Sequence, residues 1–186
     1  MISVGLLKGV IDLHVHTMPD VRPRRFDDVQ QAKLARAVGA TAIVLKSHQF
    51  PTVDRAYHTQ AHVPEVRVSG GLVLNIAVGG INPAAVRVAC HQGARLIWMP
   101  TLDARNHRQR EGWNDGIDVV VDGRLVPAAR EVLRIVADHD VALATGHLSP
   151  EEIRVVIEEA SAAGVRRLIV NHPEHRIVAM SIDDQR

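Results

Sequence analysis

Three stretches of the sequence, AVGATAIVL, HQGARLIWM and AAGVRRLIV, repeat one junction: the end of an amphipathic segment, a glycine, then a short apolar run. A helix that must stop at a left-handed residue before a buried strand begins has this form. Its recurrence commits the chain to alternating strands and helices, the pattern of βα units around a parallel sheet. The apolar runs predict strands at Val10–Val15, Thr41–Leu45, Arg67–Leu74, Arg95–Met99, Val141–Ala144 and Arg167–Val170. Helices fit Asp27–Val38, Val53–His62, Pro83–Gln92, Pro127–His139 and Pro150–Ala163, three of them with proline at the first turn. Aromatic residues are only 3% of the chain, so the core must be built from Val, Ile, Leu and Ala, the residues of buried parallel strands.

The fold class expected is therefore α/β, a (β/α) TIM-like barrel within one domain spanning residues 1–186. Six βα units are visible, whereas a closed barrel has about eight and about 250 residues. The last strands are missing from this count, so the barrel is expected to be incomplete or distorted, or the chain truncated. The ending AMSIDDQR reads as a helix N-terminus capped by Ser181. One interruption follows the fourth strand: residues 103–126 form a polar loop and then two short β runs joined by Asp122-Gly123, a tight hairpin turn. The insertion is either a lid over a site or a surface excursion.

The 22 basic and 21 acidic residues leave a net charge of +1, which gives no field for nucleic acid or an anionic membrane. A small-molecule substrate is the partner expected. No apolar run is long enough to span a membrane, and no signal peptide is visible. The single cysteine, Cys90, fits a reducing compartment, and a cytoplasmic location is the default. An exposed barrel edge would favour a homo-oligomer.

Active sites of parallel α/β folds form at the C-terminal ends of strands. Seven of the 11 histidines follow strands in this chain. His14 and His16 end strand one, Lys46 and His48 strand two, Asn75 strand three, and Thr101, Asp103, Asn106 and His107 follow strand four. His147 follows strand five and His172 strand six. Alternate strand residues share a face, so His14 and His16 point the same way and two imidazoles can share one ion. A His-x-His pair alone is a weak signal; with histidines arriving after later strands, a divalent metal becomes the better reading. Asp12 lies on the His14 face, either as an acceptor fixing an imidazole tautomer or as a strand cap. Asp20 reads as a loop residue. Lys46 ends an apolar strand, where burial is unfavourable unless the ammonium is paired or modified. A carbamylated lysine bridging metals is one option, and a cation contacting substrate is the favoured one.

DLHVH, ATGH and VNHPEH, in that order, resemble the amidohydrolase superfamily of metal-dependent hydrolases. Together with VLKSH, GGLVLN and WMPTLDARNH they look closer to an uncharacterised DUF6282-type branch. The resemblance implies metal ligands at His14, His16, His147 and His172, a metal-activated water, and one or two ions, Zn²⁺ before Mn²⁺ or Fe²⁺. It departs from the superfamily at strand four, which lacks the bridging Lys or Glu, and at the strand-eight Asp, which has no counterpart. The function expected is hydrolysis of an amide, lactone, ester or related small-molecule bond, with Asp103, Lys46, His48 and His107 as catalytic groups and Asn75, Asn106 and Thr101 binding substrate. Its rivals are a non-catalytic metal- or ligand-binding barrel, a PHP-type phosphoesterase, and lyase chemistry.

Overall fold

The computed structural model describes residues 4–186. In chain order the elements are β1 (Ile11–Val15), α1 (Asp28–Ala37), β2 (Ala42–Leu45), α2 (Val53–His62), β3 (Arg67–Ser69), β4 (Gly71–Val73), α3 (Pro83–His91), β5 (Leu96–Trp98), α4 (Arg105–Arg110), β6 (Val120–Val121), β7 (Arg124–Leu125), α5 (Pro127–Asp138), β8 (Ala142–Ala144), α6 (Pro150–Ala162) and β9 (Leu168–Ile169). The main βα series follows the apolar periodicity, and local chemistry fixes helix starts. Asp27 caps α1 in a reciprocal box with Gln30, Ser149 does the same for α6 with Glu152, and Asn82 caps α3 ahead of Pro83.

The strands form two parallel sheets, ordered β1-β2-β3 and β4-β5-β8-β9, with β6-β7 a separate hairpin. The run Arg67–Leu74, expected as one strand, is broken: its first part pairs with β2 and its second with β5. Gly71 explains the crossing point, since a Cβ there would lie 2.0 Å from the Leu96 carbonyl oxygen and 2.7 Å from the Trp98 ring. The chain passes from one sheet to the other where only glycine allows the backbones to meet. No ladder joins β1 to β9 among the described residues, so the parallel array does not close into a barrel by strand pairing.

The larger sheet packs on α3, α5 and α6 around an extensive core that includes Leu72, Ile97, Leu133, Leu143, Ile153 and Val156. The smaller sheet rests on a core of shorter side chains, among them Ala32, Ala35, Ile43, Ala56 and Val68. The insertion after β5 is not all loop: it holds α4, and the hairpin turn at Asp122-Gly123 has positive φ at both residues, 49° and 72°. Near the C-terminus, Ser181 Oγ accepts from the Asp184 amide while the Asp184 carboxylate accepts from the Ser181 amide and hydroxyl. Among the described residues no helix is long and apolar enough to cross a membrane.

Candidate functional site

All seven histidines that follow strands, His14, His16, His48, His107, His147, His172 and His175, line one cavity of about 800 Å³ at the C-terminal ends of the strands. The other four, His58, His62, His91 and His139, sit on or at the end of helices and do not line it. Alternation past the end of β1 brings His14 and His16 together, with Nε2 atoms 3.1 Å apart. The His16 ring stacks on His48 at 4.8 Å between centroids, and His14 lies 4.9 Å from His172. His172 holds a left-handed backbone, φ 46°, a conformation unfavourable for a non-glycine residue and maintained here at the cavity wall. His107, on α4, stacks on His147, their Nδ1 atoms 2.8 Å apart.

Buried amides and hydroxyls behind the rings set their positions. Asn75 Nδ2 donates to the His48 carbonyl and to Thr101 Oγ1, while its Oδ1 accepts from the Thr101 amide. Thr101 Oγ1 lies 2.8 Å from His48 Nδ1, the sole acceptor within reach of its hydroxyl proton among the described residues. Satisfaction of that hydroxyl puts the His48 proton on Nε2, so His48 presents an N–H donor to the cavity. Asn106 Nδ2 donates to the carbonyls of His147 and Ile177. Asn75, Thr101 and Asn106, expected to bind substrate, are buried, do not line the cavity, and hydrogen-bond to the segments that carry the histidines. A matching latch went unnoticed in the sequence: Asn171 Oδ1 accepts from the Gly146 amide, and its own amide donates to Thr145 Oγ1, tying together the segments that carry His147 and His172.

Lys46 is 1% exposed and lies beneath the cavity, not on its wall, which removes the direct substrate contact expected of it. Its Nζ is 3.2 Å from His14 Nε2 and 5.1 Å from the centroid of the Trp98 ring, with no carboxylate partner. Burial alone pulls its pKa from 10.5 to about 7. Burial first, and the Lys46 charge second, lower His14 to about 3 and His16 to about 4 and push His48 and His147 further down. The imidazoles are neutral at pH 7, the form that ligates metals.

The carboxylates differ from expectation. Asp12 is exposed and accepts from the His14 backbone amide, so it fixes no imidazole. Asp20, read as a loop residue, has a side chain only 1% exposed, bound by Arg24 Nε at 2.7 Å and 4.0 Å from His16 Nδ1. Burial opposes its ionisation, but the hydrogen bonds from Arg24 and the Arg22 amide outweigh this and hold it below the usual carboxylate range. Asp103 lines the cavity, with Oδ2 accepting from the Ile76 amide.

Two nitrogens on one tetrahedral ion, each about 2.0–2.1 Å from it, stand about 3.3 Å apart. The His14–His16 spacing of 3.1 Å matches that distance. The protonation pattern agrees: His16 Nδ1 is buried without a hydrogen-bond partner. If His16 Nε2 donates to His14, that orphaned nitrogen is a lone pair beside the Asp20 carboxylate. With both Nε2 atoms on an ion, His16 carries its proton on Nδ1 and faces Asp20 with the favourable charge. The pair therefore fits a metal. The expected set of His14, His16, His147 and His172 is not assembled, however: among the described residues no three His, Cys, Asp or Glu side chains converge on one ion position. The His147–His172 centroids are 5.8 Å apart, and His147 Nδ1 is engaged by His107.

A family described as a "Family of unknown function (DUF6282)" matches residues 9–186. No curated protein matches. Among solved structures, a "putative deoxyribose-phosphate aldolase" from Coccidioides immitis superposes with a TM-score of 0.52 at 13% identity, over 92% of this chain and 62% of that one. Dihydropteroate synthase from Thermus thermophilus gives 0.47 at 14% identity, over 95% of this chain and 63% of that one. The chain spans less than two thirds of either structure, and the first supports a TIM-barrel-type α/β fold without supporting an activity.

Proposed function

The chain belongs to the DUF6282 family, whose function is unknown, and from that premise we propose that it is a metal-dependent hydrolase acting on an amide, ester or lactone bond of a small molecule. The observation that carries this reading is the gathering of seven histidines on one cavity, with His14 and His16 already at the spacing of two ligands. His14 and His16 would hold the ion through Nε2, with the His172 ring beside His14 as a further donor that must turn towards it; imidazole donors suit Zn²⁺. When bound, the ion supplies a water of lowered pKa and polarises the scissile bond.

The chain's own groups supply the rest. Asp103 accepts a proton at Oδ1, the oxygen with no partner among the described residues. His48 donates from Nε2–H to the oxygen on which charge develops. His107 holds the His147 ring through the Nδ1 pair, and Asp20 orients His16. Lys46, when protonated, adds to burial in keeping the imidazoles unprotonated.

The test joins metal analysis with turnover. Purified protein is expected to carry stoichiometric zinc that His14→Ala and His16→Ala lose, and to hydrolyse a member of an amide, lactone and phosphoester panel only before chelation. Metal with no turnover identifies a binding protein, turnover confined to phosphoesters a phosphoesterase, and absence of metal affinity overturns the reading.

A further inference from the structure

Three guanidinium groups, Arg22, Arg108 and Arg176, stand at the mouth of the cavity. Two are already engaged. Arg108 makes a fork to both oxygens of Asp115 and lies 4.6 Å from the centroid of the Trp113 ring, and Arg176 reaches Glu111. The Arg22 side chain has no hydrogen-bond or carboxylate partner among the described residues; only its backbone amide is used, donating to Asp20 Oδ1. Neither carboxylate on the cavity wall bonds it: Glu111 is held by Arg176, and Asp103 accepts from the Ile76 amide. The cavity is therefore entered past one guanidinium with no side-chain partner among the described residues, an arrangement complementary to negative charge.

We propose that Arg22 binds a carboxylate or phosphate group of the substrate, so that the substrates are small anions whose reacting bond lies inward of that group. The position of the reacting bond rests on the hydrolase reading; anion capture by Arg22 does not. A planar fork suits either oxyanion.

Isothermal titration calorimetry at low ionic strength tests this with inorganic phosphate and malonate as separate probes and malonamide as the neutral match, on protein as purified and after chelation. Saturable binding of at least one anion and none of malonamide is expected, and the preferred anion separates phosphate from carboxylate. Arg22→Ala should raise Kd about tenfold or more, the loss expected for a charge-assisted bond, with Arg22→Lys intermediate. Arg110→Ala, which removes an exposed charge on α4 away from the cavity wall, should bind as wild type. The proposal is overturned by absence of saturable anion binding, by an Arg22→Ala protein that binds as wild type, or by equal weakening in Arg110→Ala. Binding that disappears on chelation and ignores Arg22→Ala also overturns it, placing the anion on the metal. Anion binding that survives in a protein with no metal affinity sustains it while removing the hydrolase reading.

Discussion

The two sheets divide the work unequally. The β4-β5-β8-β9 sheet has the larger, better-filled core, whereas the β1-β2-β3 sheet rests on alanines and valines and leaves Ile11 55% and Leu13 42% exposed along β1. Yet His14, His16, Lys46 and His48, the densest part of the site, belong to the smaller sheet and the segments that leave it. Braces substitute for core there. Arg55 bonds both oxygens of Asp28 and the carbonyls of Thr17, Met18 and Pro19, pinning the segment after His16. Asn75 and Thr101 reach across from the larger sheet to grip His48. Side chains of a site can thus be placed by directional bonds where apolar packing is thin.

The sharpest way to break this contrast is truncation in each half. Leu143→Ala, at a fully buried position of β8, should destabilise by about 3 kcal/mol in urea unfolding. Leu13→Ala on β1 should change stability by less than about 1 kcal/mol, and equal losses would erase the distinction. Asn75→Ala removes several buried bonds and should lose about 2–3 kcal/mol; imidazole ¹⁵N NMR should then show His48 sampling both tautomers, whereas wild type holds Nε2–H. Arg55→Met should lose about 1–2 kcal/mol and raise hydrogen exchange in residues 17–20 ahead of the larger sheet. Acid sensitivity in chelated protein, graded over several pH units, sharpens the contrast at the site itself. The folded His14 and His16 values, about 3 and about 4, lie below the ordinary 6.5. Their stabilisation is complete above about pH 6.5 and declines as pH falls towards 4, because the unfolded chain takes up protons first. Each group loses up to about 1.4 kcal/mol per pH unit over this range, a slope measured by thermal unfolding against pH and roughly halved in His14→Gln.

Regular structure was legible wherever periodicity encodes it. Helix α2 begins and ends where the pattern places it, and the histidines that follow the strands line one cavity. Helix α4 was not legible because Arg105–Arg110 is uniformly polar and no side chain caps it. The split at Gly71 was hidden because pairing partners, not the run GGLVLN itself, decide it. Burial of Asp20 depends on Arg24 folding back over the loop, a contact that the pattern of apolar residues does not encode. The burial of Asn75, Thr101 and Asn106 was hidden for a related reason: sequence places a polar residue at a rim but does not say whether it faces inward or back into the protein.

The first and last strands of the array share no ladder, yet the rings of His14 and His172 come within 4.9 Å of each other. Side chains, not backbone, meet across that gap. A ligand gripping both rings would act as a clasp on an open bracelet, fastening two points separated by nearly the whole length of the chain. Such a clasp grips the folded chain and not the unfolded one, so occupancy and resistance to unfolding would be two readings of one equilibrium.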